Sequence, residues 1–170
     1  MIRISGILLG AGESKRMGVN KLLLPWGKKT VFEHCLDTLL CSNIKEIVVV
    51  LSDRTRGIGS QLKKRSTHKG KKVKVIINRS SRQGMSTSIR RGIQVMDPTS
   101  QGILIALGDQ PFLKTRTVNT LIEAFDKGKG RIIVPVFQGK RGHPVIFHRR
   151  YKKELLKLGG DRGGKSILLR

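Results

Sequence analysis

Apolar residues gather into six short runs, at 2–9, 46–51, 73–77, 103–107, 132–136 and 145–147. Several are nearly continuous in Val, Ile and Leu. A strand buried on both faces has no solvent side to show, so continuity rather than alternation marks it. Between the runs the spacing becomes helical. Thr30-Val31-Phe32-Glu33 reads as a capping box opening a helix to about Cys41. A second helix is predicted over 88–96, with Pro98 beyond its end. A third covers 118–125 and stops near Gly128. A short fourth covers 151–158. The basic stretch 63–74 reads as a helix end followed by a solvated loop.

Strands alternating with helices predict βαβ units. The expected fold is α/β, a mostly parallel sheet between two helical layers. A length of 170 residues suits a single domain spanning 1–170, and neither a linker nor an internal repeat interrupts it. Ligands of such sheets bind at the carboxyl ends of the strands. That rim collects the loop after Leu9, the region 78–88, and Gly108-Asp109.

No apolar run approaches the length of a membrane span. The first residues lack the basic-then-apolar pattern of a secretion signal. Cys35 and Cys41, six apart in a predicted helix, fall on different faces and are poorly set for a disulfide. These features lead us to expect a reduced, cytoplasmic protein. The charge changes the picture more. With 35 Lys and Arg against 11 Asp and Glu, the net charge is +24. Such a surface concentrates anions, nucleotides and phosphorylated substrates among them. Aromatic residues are only 4% of the chain, too few for a single-strand stacking platform, so nucleic acid is not an expected partner.

Leu9-Gly10-Ala11-Gly12 leaves the first strand and is followed by Arg16 and Lys21. Glycines let backbone N–H groups approach anionic oxygens, and the two cations bring charge to a polyphosphate. The third glycine of a dinucleotide fingerprint is misplaced here. Asp109, in Gly108-Asp109-Gln110-Pro111, ends a buried strand, where a carboxylate can hold a Mg²⁺ that bridges phosphates. Gly84-Met85-Ser86-Thr87-Ser88 precedes a helix and offers N–H groups and hydroxyls to a base or phosphate. Gly142-His143-Pro144 places an imidazole before a strand. His34, His68 and His148 lack metal-ligand spacing and receive no role. The stretch 159–166 fits the P-loop spacing literally, but it follows a predicted helix rather than a strand, so we reject that reading.

Together these pieces resemble the molybdenum cofactor cytidylyltransferases, within the MobA-like NTP transferase family. The matching segments are Leu9 to Gly12 through Arg16-Met17-Gly18 and Asn20-Lys21-Leu22-Leu23, Gly84-Met85-Ser86 with Ser88, Gly108 to Pro111, Gly142 to Pro144, and Gly160-Asp161-Arg162-Gly163. The resemblance implies a three-layer α/β/α, Rossmann-like domain that binds a nucleoside triphosphate with Mg²⁺. Leu9, Gly10, Ala11 and Gly12 would line the nucleotide. Arg16 and Lys21 would hold its phosphates, Gly84 and Ser88 would lie near the base, and Asp109 would bind metal. Lys21, Arg16 and Asp109 would be the catalytic set. Gly142, His143 and Asp161 would face the acceptor.

The implied reaction transfers CMP from CTP to the phosphate of molybdopterin, releasing pyrophosphate. A molybdoenzyme that receives the cofactor is an expected partner. The family continues past the glycine loop into a further strand and a second metal-binding Asp. This sequence reaches Arg170 without them, and Ile167-Leu168-Leu169 reads as the start of that portion. Three alternatives stay open: nucleotidyl transfer to another phosphate such as methylerythritol phosphate or a sugar phosphate, guanylyl transfer to the molybdenum cofactor, and a basic nucleic-acid-binding or degenerate nucleotide-binding module.

Overall fold

A computed structural model describes residues 2–12, 20–63, 67–68, 70–161 and 164–168. Seven strands form the main sheet: β1 (Ile4–Gly10), β2 (Glu46–Leu51), β3 (Thr67–His68), β4 (Lys71–Ile77), β5 (Gly102–Leu107), β6 (Ile132–Ile133) and β7 (Val145–His148). Their spatial order is β3-β4-β2-β1-β5-β7-β6. The centre, β4-β2-β1-β5, is parallel throughout. Strand β7 runs antiparallel to β5 and to β6, and β3 antiparallel to β4. The helices are α1 (Val31–Leu40), α2 (Arg56–Lys63), α3 (Met85–Val95), α4 (Thr115–Asp126), α5 (Lys152–Leu156) and α6 (Lys165–Leu168).

The continuous apolar runs now have their reason. Successive strand side chains point to opposite faces, and both faces are covered. Ile4 and Leu8 of β1, Ile47 and Val49 of β2, and Leu104 and Ala106 of β5 enter one core with α1, α2 and α4. Ile7 and Leu9, Val48 and Val50, and Ile103 and Ile105 enter a second core with α3 and α5. The sequence-predicted α/β class, three layers and mostly parallel sheet are all present.

The capping box holds: Thr30 Oγ1 accepts from the Glu33 N–H at 3.2 Å, and the Thr30 N–H donates to Glu33 Oε2 at 2.8 Å. Cys35 is buried and Cys41 exposed, and no disulfide joins the two. Among the described residues no helix is long and apolar enough to cross a membrane.

Three readings need correction. The basic stretch 63–74 does begin at a helix end, Lys63 of α2, but its last residues, 71–74, are not a solvated loop and lie in β4, while 64–66 and 69 fall outside the described residues. Lys71 donates to the Ile44 carbonyl at 2.8 Å, and Lys74 pairs with Glu46, so bound ammonium heads let a basic segment join the sheet. The predicted strand 132–136 is split at Pro135, which has no N–H for a ladder. Ile132–Ile133 stays in the main sheet, whereas Val136–Phe137 pairs with Lys140–Arg141 in a separate ribbon. That ribbon closes through Gln138 and Gly139 at φ 48° and 74°, the geometry of a two-residue hairpin turn. Finally, Ile167-Leu168 begins no strand. Residues 165–168 form a helical turn, and Ile167 is buried in the second core.

At the amino end of the sheet, Glu46 is buried within a polar network. Its Oε2 accepts from Ser5 Oγ at 2.6 Å and from the Asp97 N–H at 2.7 Å, and Oε1 lies 2.7 Å from Lys74 Nζ. Burial pushes the Glu46 carboxyl up, but the hydrogen bonds of Lys74, Ser5 and Asp97 outweigh it and hold the group below its ordinary value. A depressed carboxylate stabilises the fold at neutral pH and loses that contribution as pH falls through its folded value. Glu46→Gln is expected to cost about 1–3 kcal/mol near pH 7. It should also flatten the loss of stability below about pH 4.5. Urea denaturation at both pH values checks this, and an equal cost at each would refute it.

Candidate active site

From β1 the chain winds outward through β2 to β4, then returns to place β5 on the other side of β1. Connections therefore diverge above the β1–β5 pair, and a crevice opens at those carboxyl ends. A cleft of about 340 Å³ lies there. Leu9, Ala11, Gly12, Lys21, Gly84, Ser88, Asp109 and Asp161 line it together. Arg16 lies outside the described residues.

The two rim turns rest on one ring. Phe32, the second residue of α1, is fully buried. A Cβ on Gly10 would stand 2.6 Å from its Cε2, and one on Gly108 would stand 2.7 Å from its Cδ2. Only glycines allow β1 and β5 to end against this ring. The ends are then tied, with the Gly108 N–H donating to the Leu9 carbonyl at 2.9 Å and Thr55 Oγ1 to the Gly10 carbonyl at 2.8 Å. Gly10 therefore lies beneath the cleft, supporting a wall made by its neighbours.

Lys21 opens a short 3₁₀ turn capped by Asn20, whose Oδ1 accepts from the Leu22 N–H at 3.1 Å. Across the cleft, α3 begins three residues earlier than the apolar spacing predicts. Gly84, at φ 110°, makes this entry. A Cβ there would meet the Gly160 carbonyl carbon at 2.6 Å. Asp161 Oδ1 accepts from the Met85 N–H at 3.1 Å, and the Ser86 N–H donates to the Gly160 carbonyl at 3.2 Å. One Asp161 oxygen thus caps α3. Buried Asn78 positions Ser88, donating through Nδ2 to its Oγ at 2.9 Å.

Gly142 and His143 are not among the residues lining the cleft. The Gly142 N–H bonds the Pro135 carbonyl at 2.9 Å. Burial lowers the His143 pKa while the nearby Asp109 charge works against the drop, so the balance favours the uncharged imidazole. Cys35 lies under the Asp109 turn, and burial pushes its thiol up to about 11. It is a packed thiol rather than a nucleophile. Sequence reasoning missed Arg82, which lines the cleft from a 3₁₀ turn. Its signal was a cation two residues before the Gly84 turn.

Among the described residues no three His, Cys, Asp or Glu side chains gather as a metal cage. The donors suit a different arrangement. Asp109 is exposed at the cleft and has carboxylate oxygens to share with a hydrated Mg²⁺ that phosphates also ligate.

Residues 6–170 match the MobA-like NTP transferase domain. The chain belongs to that family. The chain is 28% identical to a nicotine blue oxidoreductase of Paenarthrobacter nicotinovorans, over 97% of this chain and 81% of the relative. It is 27% identical to the molybdenum cofactor cytidylyltransferase of Escherichia coli, over 86% and 70%. The crystal structure of Rv0371c from Mycobacterium tuberculosis superposes with a TM-score of 0.81 at 27% identity, covering 99% of this chain and 83% of that one. Its manganese complex gives 0.75. As a member of this nucleotidyltransferase family, the chain carries the fold and the strand-end cleft that the resemblance implied.

Gly108→Ala should destabilise the protein by about 1–3 kcal/mol through the Phe32 ring, read as a lower denaturation midpoint. A midpoint equal to that of the parent would show that the ring yields freely. In an NMR titration, the His143 ring should have a midpoint below 6.5, and Asp109→Asn should move it further down. An upward move would contradict the placement of the two groups.

Proposed function

We propose that this protein transfers CMP from CTP to the phosphate of a molybdopterin-type acceptor. The observation that carries this reading is the meeting of Lys21 and Asp109 with the Ala11-Gly12 and Gly84 turns in one cleft at the sheet's switch point. The likeness to the Escherichia coli cytidylyltransferase supports the choice of CTP and acceptor.

The triphosphate lies along the Ala11-Gly12 turn, where backbone N–H groups meet its oxygens. An oxygen of the acceptor phosphate attacks the α-phosphorus. The bond from that phosphorus to the bridging oxygen breaks, and pyrophosphate leaves with the electron pair. The acceptor is already an anion, so no strong general base is required. Lys21 and Arg16 neutralise the charge that grows on the phosphates, and alignment supplies much of the rest. Asp109 would hold Mg²⁺, which would supply Lewis-acid neutralisation of the phosphates. Ser88 and Gly84 bound the base. His143, with Gly142 and the second carboxylate oxygen of Asp161, faces the acceptor side. The protein works in the cytoplasm and hands its product to a molybdoenzyme.

Calorimetry with Mg²⁺ and CTP, GTP or ATP tests the nucleotide, and CTP should bind most tightly. Lys21→Ala should cut turnover about 10²–10³-fold while leaving the unfolding free energy within about 0.5 kcal/mol of the parent. Near-normal turnover in Lys21→Ala would overturn the mechanism. A preference for GTP would move the reading to guanylyl transfer. Failure to bind any of the three would favour a redox role like that in the name of the Paenarthrobacter relative.

A further inference from the structure

The charge of +24 exceeds anything a single triphosphate requires, and part of it is organised far from the cleft. Strands β6 and β7 pair antiparallel, with Ile132 opposite Phe147. Their register brings the segment before β6, Lys127-Gly128-Lys129-Gly130-Arg131, beside the one after β7, Arg149-Arg150-Tyr151-Lys152-Lys153. The junction is closed by the His148 N–H donating to the Arg131 carbonyl at 2.8 Å and the Arg149 N–H to the Gln101 carbonyl at 2.8 Å. Arg131, Arg149 and Arg150 are all exposed.

Their fields converge on His148, whose pKa is lowered first by burial and then by the charges of Arg131, Arg150 and Arg149. Lys127 is paired with Glu123, but Lys129, Arg131, Arg149, Arg150, Lys152 and Lys153 make no ion pair among the described residues. Six cations without an ion pair therefore gather at this junction, four from the segments flanking the β6–β7 pair and two from the first turn of α5. His148 stands opposite Gly102, the first residue of β5, so the junction is at the amino-end rim. It lies about 20 Å from the cleft along the six residues of β5.

We propose that this strip binds the phosphate backbone of duplex nucleic acid without reading its sequence. Arginines grip phosphate oxygens bidentately, and lysines add point charge. The second segment is helical, a 3₁₀ turn over Arg149–Tyr151 that runs into α5 at Lys152, so its cations gather within about 10 Å beside Lys129 and Arg131, a density that suits a ligand with closely repeating phosphates. The one aromatic in the strip, Tyr151, lies under the Arg150 guanidinium at 5.7 Å and makes an edge contact with the Phe147 ring, so it is already engaged and a single ring makes no stacking platform for single strands. Among the described residues the exposed large apolar side chains are Leu23, Trp26, Phe112, Val136 and Phe137, none of them in the strip. A membrane surface would need such groups to insert.

The test is fluorescence anisotropy of a mixed-sequence 20-base-pair duplex titrated with the whole protein between 50 and 200 mM salt. Six phosphate contacts predict a log–log salt slope of about −5. Replacing Arg131, Arg149 and Arg150 together by Gln should bring the slope about 2.7 units nearer zero. The control triple Gln variant at the exposed Arg54, Arg91 and Arg116 should leave it unchanged. Saturating CTP with Mg²⁺ should not displace the duplex. Equal losses in both triple variants would overturn the strip in favour of diffuse charge. Absence of duplex binding, or binding only to vesicles of anionic lipid, would overturn it as well. Each outcome is independent of whether the cleft transfers CMP.

Discussion

The site depends on the contact between one aromatic ring and two missing side chains. Phe32 fills the space beneath the carboxyl ends of β1 and β5, and Gly10 and Gly108 are the residues that let both strands end against it. Interiors packed at crystal-like density cannot absorb an added methyl without movement. The same ring therefore sets the height of the wall that carries Ala11 and Gly12 and of the turn that carries Asp109. The capping box at Thr30 fixes the start of α1, and with it the depth of Phe32. A local rule of helix initiation thus controls the geometry of a cleft formed by two other elements.

The opposite rim is built on another principle. There, buried Glu46 links β1, β2, β4 and the end of α3 through Ser5, Lys74 and Asp97. The carboxyl rim is left with loops, glycines and unburied charge, which are the parts a polyphosphate needs. The amino rim is closed by satisfied polar groups. The charge on the outer surface follows its own division. Lys21 and Arg82 face the cleft, whereas the arginines around His148 face away from it.

Much of this was legible in the residues. Continuous Val-Ile-Leu runs marked strands with two buried faces, and their alternation into two cores was a direct consequence. The motifs at Leu9 to Gly12, Lys21, Gly84 to Ser88 and Asp109 did meet, because each followed a strand or opened a helix along one rim. What escaped depended on partners distant in sequence. Lys71 and Lys74 read as solvated until Ile44 and Glu46 supplied acceptors. Asp161 read as an acceptor ligand, yet one of its oxygens caps α3. Arg82 carried no motif of its own. The split at Pro135 was visible as a residue without an N–H, but the apolar count around it concealed the break.

The close approach of Gly84 to Gly160 has a consequence for synthesis. The Met85 N–H waits for an oxygen 76 residues further along the chain. At roughly 5–20 residues per second, a ribosome takes about 4–15 s to supply it. Until then the start of α3 lacks its cap and one wall of the cleft is missing. A nascent chain can assemble β1, β2 and β4 early, but it acquires a complete binding site only after the last glycine loop emerges. The soluble nucleotide then becomes a ligand for finished molecules alone, and its binding energy stabilises those and no earlier intermediate.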